Sequence, residues 1–175
     1  APTVNFSSTS SSGAESVSSK SLTVELSAAS SQDVTVAYAF TGTATGSGSD
    51  HSAADGTLQI NAGQTSGTIT IPSIVANALD EPNETVIVTL SNPSNATLGN
   101  DDVHTYTIND DDPTPTVFFS STSSSGAESV SSKALTVELS AASSQDVTVA
   151  YAFTGTATGS GTDHSAADGT LQINA

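Results

Sequence analysis

A stretch of 61 residues occurs twice in this chain. Residues 2–62 return as residues 115–175, an offset of 115 − 2 = 113, with three differences: Asn5 becomes Phe118, Ser21 becomes Ala134 and Ser49 becomes Thr162. Near-identity over that length marks a recent tandem duplication, so one architecture must serve both copies. Residues 63–112 have no second copy, and the order along the chain is first half, second half, first half again. The problem of fold therefore reduces to one repeat, residues 1–113, followed by residues 114–175 as the first half of a second repeat. The seam reads Asp110-Asp111-Asp112-Pro113-Thr114-Pro115. Two prolines around one threonine make a short, stiff connector.

Inside the repeat the apolar residues recur every second position. Val4-Phe6, Leu22-Val24-Leu26, Val34-Val36-Tyr38-Phe40, Leu58-Ile60, Ile69-Ile71, Val86-Val88-Leu90 and Tyr106-Ile108 each alternate with polar residues. Alternation at that period is the pattern of a half-buried strand. Turn residues separate the runs, as in Gly46-Ser47-Gly48, Asn61-Ala62-Gly63 and Asn92-Pro93-Ser94. Nothing keeps helical spacing over three turns. About seven short strands per 113 residues predict an all-β fold, an immunoglobulin-like antiparallel β-sandwich, tandemly repeated. The serine-rich stretch 7–12 carries no alternation and reads as a loop.

Charge removes whole classes of function. Against 18 acidic side chains stand two lysines and no arginine, a formal net charge of −16. A nucleic acid is held by clustered cations, so nucleic-acid binding is excluded, and a polybasic membrane anchor with it. No apolar run reaches the roughly 18 residues of a membrane-inserting helix. With no cysteine, disulfides and thiolate-ligated zinc are absent. Catalysis finds no support either. Asp50-His51-Ser52 holds the residue types of a triad, but neighbours on an extended chain point apart. The histidines His51, His104 and His164 never pair at zinc spacing, and there is no G-x-S-x-G elbow. The chain reads as a non-enzyme.

The acids themselves gather at strand ends and in loops: Glu15, Asp50, the run Asp80-Glu81-Pro82-Asn83-Glu84, and Asp110-Asp111-Asp112. Where strands alternate in direction, loops two strands apart return to the same pole of a sandwich. Carboxylates brought together without arginine repel one another, and a hard divalent cation with six to eight oxygen ligands relieves that repulsion. Solvated surface charge is the competing reading of each acid taken singly. Neither the EF-hand loop nor the glycine-rich nonapeptide is present.

Taken in order, Gly48-Ser49-Asp50-His51, Gly56-Thr57-Leu58, Ala62-Gly63-Gln64-Thr65, the run from Leu79 through Glu84 to Pro93, and Tyr106-Thr107-Ile108-Asn109-Asp110-Asp111-Asp112 resemble a Calx-β domain. The resemblance covers the whole 113-residue repeat. It implies a seven-stranded immunoglobulin-like sandwich that binds Ca2+ at one pole, where one domain meets the next. By position, the implied ligands are Glu15, Asp50, Glu81, Glu84, Asp110, Asp111 and Asp112. The family's strongest binders carry two aspartates where this chain has Ala76 and Asn77. Asn77 still offers a neutral oxygen, and the change favours fewer or weaker ions. His51 stands where the family usually has tyrosine and reads as a packing or solvent-facing residue. In the second copy only Glu128 and Asp163 match.

The resemblance makes the chain an extracellular, calcium-binding structural module, repeated into a rod or filament on a cell surface, with calcium stiffening the junction between repeats. An adhesin or other ligand-binding module, and a calcium-sensing regulatory domain of a larger membrane protein, are the alternatives. Residues 114–175 hold some four strands, which cannot close a sandwich and expose an apolar face. Either the 175 residues are an excerpt of a longer tandem protein, or residues 63–112 of another subunit supply the missing strands. The partners expected are therefore neighbouring repeats or copies of the chain itself, joined head to tail by strand complementation.

Overall fold

A computed structural model describes all 175 residues and contains strands but no helix. The chain divides into two compact units. The first holds residues 1–77 and 82–111, and the second holds residues 78–81 and 112–175.

In the first unit the strands are β1 (Thr3–Phe6), β2 (Ser10–Ala14), β3 (Ser19–Leu26), β4 (Val34–Gly42), β5 (Gly56–Ile60), β6 (Ser66–Pro72), β7 (Glu84–Ser94), β8 (Thr97–Leu98) and β9 (Val103–Asn109). They form two sheets, of order β6-β3-β1-β8 and β2-β9-β7-β4-β5. All seven strands expected from alternation are present. The alternation is realised as a division of faces: in β3, Leu22, Val24 and Leu26 are buried while Ser21, Thr23 and Glu25 are exposed. In β7 the inward set is Val86, Val88 and Leu90. The core joins Val4, Phe6, Leu22, Val24, Ile69 and Ile71 of one sheet to Val34, Val36, Ile60, Val88, Leu90 and Tyr106 of the other. Each large apolar side chain so buried contributes about 1.5–3 kcal/mol.

Two strands lie outside the expectation. β2 occupies the serine-rich stretch read as a loop, and pairs with β9 from Ser10↔Thr105 to Ala14↔Asn109. It is an edge strand with no apolar alternation to announce it; its partner makes it a strand. His104 secures it, one ring nitrogen 2.7 Å from Ser11 Oγ and the other 2.5 Å from Ser8 O. The short β8 runs beside β1. Both additional pairings are parallel, so the otherwise antiparallel sandwich carries two parallel edges.

Tyr106 is fully buried and its hydroxyl has no hydrogen-bond partner. The ring lies under Lys20, whose ammonium is 5.9 Å from the ring centroid. Gly13 makes room for the hydroxyl, since a Cβ there would collide with it. Burial raises the phenol pKa above its ordinary value of 10.0.

In the second unit the strands are β10 (Val117–Phe119), β11 (Val137–Leu139), β12 (Val147–Tyr151) and β13 (Gly169–Ile173). They make two separate hairpins, β10-β11 and β12-β13. The registers repeat those of the first unit at an offset of 113: Val4↔Leu26 becomes Val117↔Leu139, and Val34↔Ile60 becomes Val147↔Ile173. Residues 78–81 pack with this unit through Asp80, whose carboxylate accepts hydrogen bonds from Thr114 Oγ at 3.1 Å and Ser143 Oγ at 3.1 Å.

Two outcomes follow from these environments. Leu22 is 2% exposed and Leu135, its repeat, 54%. Leu22→Ala is expected to lower the unfolding free energy of the first unit by about 2–5 kcal/mol, and Leu135→Ala to change stability by less than about 0.5 kcal/mol, as read by urea denaturation. Tyr106→Phe removes a buried hydroxyl that no group satisfies, so stability at neutral pH is expected to hold or rise. With the folded pKa raised, Tyr106 contributes stability that is present below the unfolded value of 10.0 and lost as pH rises through the folded value. The alkaline loss of stability is accordingly expected to be shallower in the Phe variant, measured as melting temperature against pH.

Candidate metal centre

The pole where β2 and β9 end together assembles the acids. Because these strands are parallel, Ala14 and Asn109 finish side by side, and Glu15 N donates to Asn109 O at 2.9 Å. Glu15 and the Asp110–Asp112 run therefore leave the sheet from adjacent points. Glu15 is 5% exposed, a depth at which an ionised carboxylate needs strong compensation. One donor is the backbone of the loop after β6: Asn77 N–H donates to Glu15 Oε1 at 3.0 Å. Around it, Glu15, Asp110 and Asp112 each present a carboxylate oxygen, all within 4.8 Å of one another.

Neighbouring groups hold the aspartate run in place. Asp110 N–H donates to Asn83 Oδ1 at 3.0 Å, and Ser16 Oγ donates to Asp111 Oδ2 at 2.7 Å. Neither Asn83 nor Ser16 was marked from the sequence as a site residue. Asn83 stood inside the acidic run and Ser16 beside Glu15, so only adjacency pointed to them; their roles are to orient, through bonds between distant segments.

The remaining expected ligands fall in several places. Asp50 lies on the loop after β4, and its carboxylate accepts the Thr45 N–H, closing its own turn. Its carbonyl accepts from Val75 N–H at 3.0 Å and so tethers the loop that carries Asn77. Glu84 opens β7, paired with Ile108. Glu81 falls in the short segment that packs with the second unit. In that unit Asp163 closes a turn onto Thr158 N–H at 2.6 Å, the same bond that Asp50 makes, and Glu128 is exposed. His51 is 4% exposed, its ring 6.4 Å from that of Phe40, with Nδ1 accepting the Ala53 N–H at 3.1 Å. Of the two readings its position left open, packing and solvent-facing, the structure shows packing.

Three converging carboxylates, one of them deeply buried, fit a hard cation. Calcium favours carboxylate and carbonyl oxygen over imidazole or sulfur, and this pole offers oxygen alone. Glu15, Asp110 and Asp112 are the residues that would hold it, and the ion would supply positive charge where the protein has none to spare.

Comparison with known proteins agrees with this architecture. The Calx-beta domain model matches residues 1–112 and again residues 110–175. Among solved structures, the apo-form Calx CBD1 domain is 24% identical with a TM-score of 0.58, over 63% of this chain and 98% of that one. The CBD12 structure from CALX1.2 is 21% identical with a TM-score of 0.58, over 98% of this chain and 69% of that one. The calcium binding domain CBD12 of CALX1.1 is 24% identical, also at 0.58, over 98% and 70%. No curated protein sequence matches. At these identities the structural likeness establishes the fold, while the family model spans the chain from end to end: this chain belongs to the Calx-β domain family.

Proposed function

We propose that the chain is a calcium-binding structural repeat, displayed extracellularly, that builds a rod or filament on a cell surface. The observation that carries the calcium reading is the convergence of Glu15, Asp110 and Asp112 at the end of β2 and β9. Without an ion, the carboxylates at this pole repel, in a chain of net charge −16 that has only two lysines. A bound divalent ion reverses that balance and fixes the aspartate run that leads into the stiff Pro113-Thr114-Pro115 connector. Ala76 and Asn77, standing where stronger binders carry aspartates, favour a small number of ions of modest affinity.

The structural role rests on the repeat itself. Tandem units that differ at three positions in 61 set length and spacing without needing to recognise anything. A regulatory calcium sensor is the second reading. It is favoured by the likeness of nearly the whole chain to CBD12, one structure of which is titled a calcium binding domain.

Calorimetric titration of the 175-residue chain with calcium is expected to show binding at one to four ions, and Glu15→Gln and Asp110→Asn each to weaken it at least about tenfold. At 100 times the dissociation constant, one ion stabilises the folded state by about 2.7 kcal/mol. The melting temperature of the first unit should then rise by on the order of 10 °C over its value in chelator. Unchanged melting and no heat of binding would remove the calcium reading and leave a β-sandwich spacer held by packing alone. The sensor reading is separated from the rod by small-angle scattering of the chain in calcium and in chelator. A rod keeps or extends its maximum dimension in calcium, whereas a sensor changes conformation between the two.

A further inference from the structure

The loop between β4 and β5 is held together by its own residues. Ser47, at φ 62°, and Gly48, at φ 91°, turn its tip, and Gly48 N–H donates to His51 O at 2.8 Å. Where the loop closes, Phe40 N–H donates to Asp55 Oδ1 at 2.8 Å. The second unit repeats these bonds, although Thr162 there replaces Ser49: Gly161 N–H donates to His164 O at 2.8 Å, and Phe153 N–H to Asp168 Oδ1 at 2.8 Å. The rings follow the backbone. Phe40 and His51 lie 6.4 Å apart at 44°, and Phe153 and His164 lie 6.3 Å apart at 41°. A side-chain arrangement that recurs with its loop is fixed locally, and a site built on it is preorganised.

In the first unit the loop bounds an open cavity of about 190 Å3, walled by Phe40, Ala44 and Ala53 and edged by Ser47, His51 and Asp55. Two of these groups have fixed polarity. His51 Nδ1 accepts the Ala53 N–H at 3.1 Å, which puts the ring proton on Nε2 and makes that nitrogen a donor. Asp55 spends Oδ1 on the Phe40 N–H and has Oδ2 left as an acceptor.

We infer that this cavity is a binding site for a single neutral sugar ring, independent of the calcium pole. A carboxylate at the edge, in a chain of net charge −16, turns anions away. The Nε2–H of His51 offers an ammonium group nothing to donate to. A hydroxyl answers both groups, because it donates to Asp55 and accepts from His51. A pyranose carries several hydroxyls on a ring whose C–H face lies against an apolar wall, and Phe40 with Ala44 and Ala53 supplies that wall. Drug-sized ligands take cavities of about 300–1,000 Å3, so the space here suits one ring and not a chain of them. With one ring held at an open edge, the dissociation constant is expected on the order of 1 mM.

The test titrates the 175-residue chain with glucose, galactose, mannose and N-acetylglucosamine, in chelator so that no sugar is held through a metal ion, and follows amide and imidazole signals by NMR. At least one of the four is expected to give saturable shifts at Phe40, Ser47 and Asp55 and at the His51 Nε2. Asp55→Asn keeps the Oδ1 that closes the loop and should weaken binding at least about tenfold. Gly46→Leu tests the same site by volume. A Cβ at Gly46 stands 3.5 Å from His51 Cε1, an ordinary contact, so the side chain narrows the cavity without breaking a hydrogen bond and should abolish the shifts. Both variants should keep the parent amide spectrum outside residues 40–56, which separates loss of the site from loss of the fold. No saturable shift with any of the four sugars up to about 100 mM, a hundredfold above the expected constant, would overturn the inference. So would shifts confined to places other than this loop and its repeat, undiminished binding by both variants, or saturation by tetramethylammonium in preference to every sugar.

Discussion

Cross-coverage between the two halves of the repeat is the interaction on which the rest depends. The first half supplies β1 with β3 and β4 with β5, hairpin pairs whose apolar faces belong to different sheets. Neither hairpin is wide enough to hold a core by itself. The second half widens both sheets, β6 pairing with β3 while β7 and β9 extend the sheet of β4. Val86, Val88, Leu90, Tyr106 and Ile108 then become one wall of the core, and all of them are buried. Where residues 1–62 meet this wall, their alternating apolar side chains are buried. Where the same sequence lacks it, hairpin registers persist but strands shorten and rings face water. Local pattern thus sets pairing within hairpins, and non-local pairing decides burial.

The acidic pole follows from the same framework. The parallel pairing of β2 with β9 places Glu15 beside Asp110, because the register sets Ala14 opposite Asn109 and the two parallel strands end at one level. An antiparallel arrangement of those two strands would have sent the groups to opposite ends. His104, held between Ser8 and Ser11, fixes β2 on β9 and so indirectly fixes Glu15. Carboxylates gathered in this geometry repel one another, and a bound cation would relieve that repulsion. The structural and electrostatic organisation therefore share β9, whose inward residues build the core and whose end presents the acids.

Most of the fold was legible in the sequence, since period-two alternation announces a strand with one dry face. β3, β6, β7 and β9 each showed it, and each lies where the pattern placed it. β2 was not legible. Its serines and glycine bury little, and its extended form comes from hydrogen bonding to β9 across more than ninety residues of sequence. The site was legible in part for a related reason. Clustered acids at loop positions marked the pole, but which oxygens converge depends on side-chain direction. Asp50 turns its carboxylate to Thr45, a bond of five residues' span, whereas Glu15 and Asp110 meet across ninety-five. The orienting bonds from the Asp110 N–H to Asn83 and from Ser16 to Asp111 carry no pattern in one dimension.

By itself the sequence determined the repeat, the strand period, the all-β class, the excess of negative charge and, through its motifs, the family. These are properties of residue order and composition, and they hold whatever the chain packs against. Tertiary structure alone decided that a serine-rich stretch is a strand in one copy and not in the other, and that Leu22 is buried while Leu135 is exposed. It also decided that Glu15, Asp110 and Asp112 bring their oxygens together. The physical reason is common to all three. Burial, edge pairing and charge convergence are relations between segments far apart in the chain, and identical residues acquire different states when those segments differ.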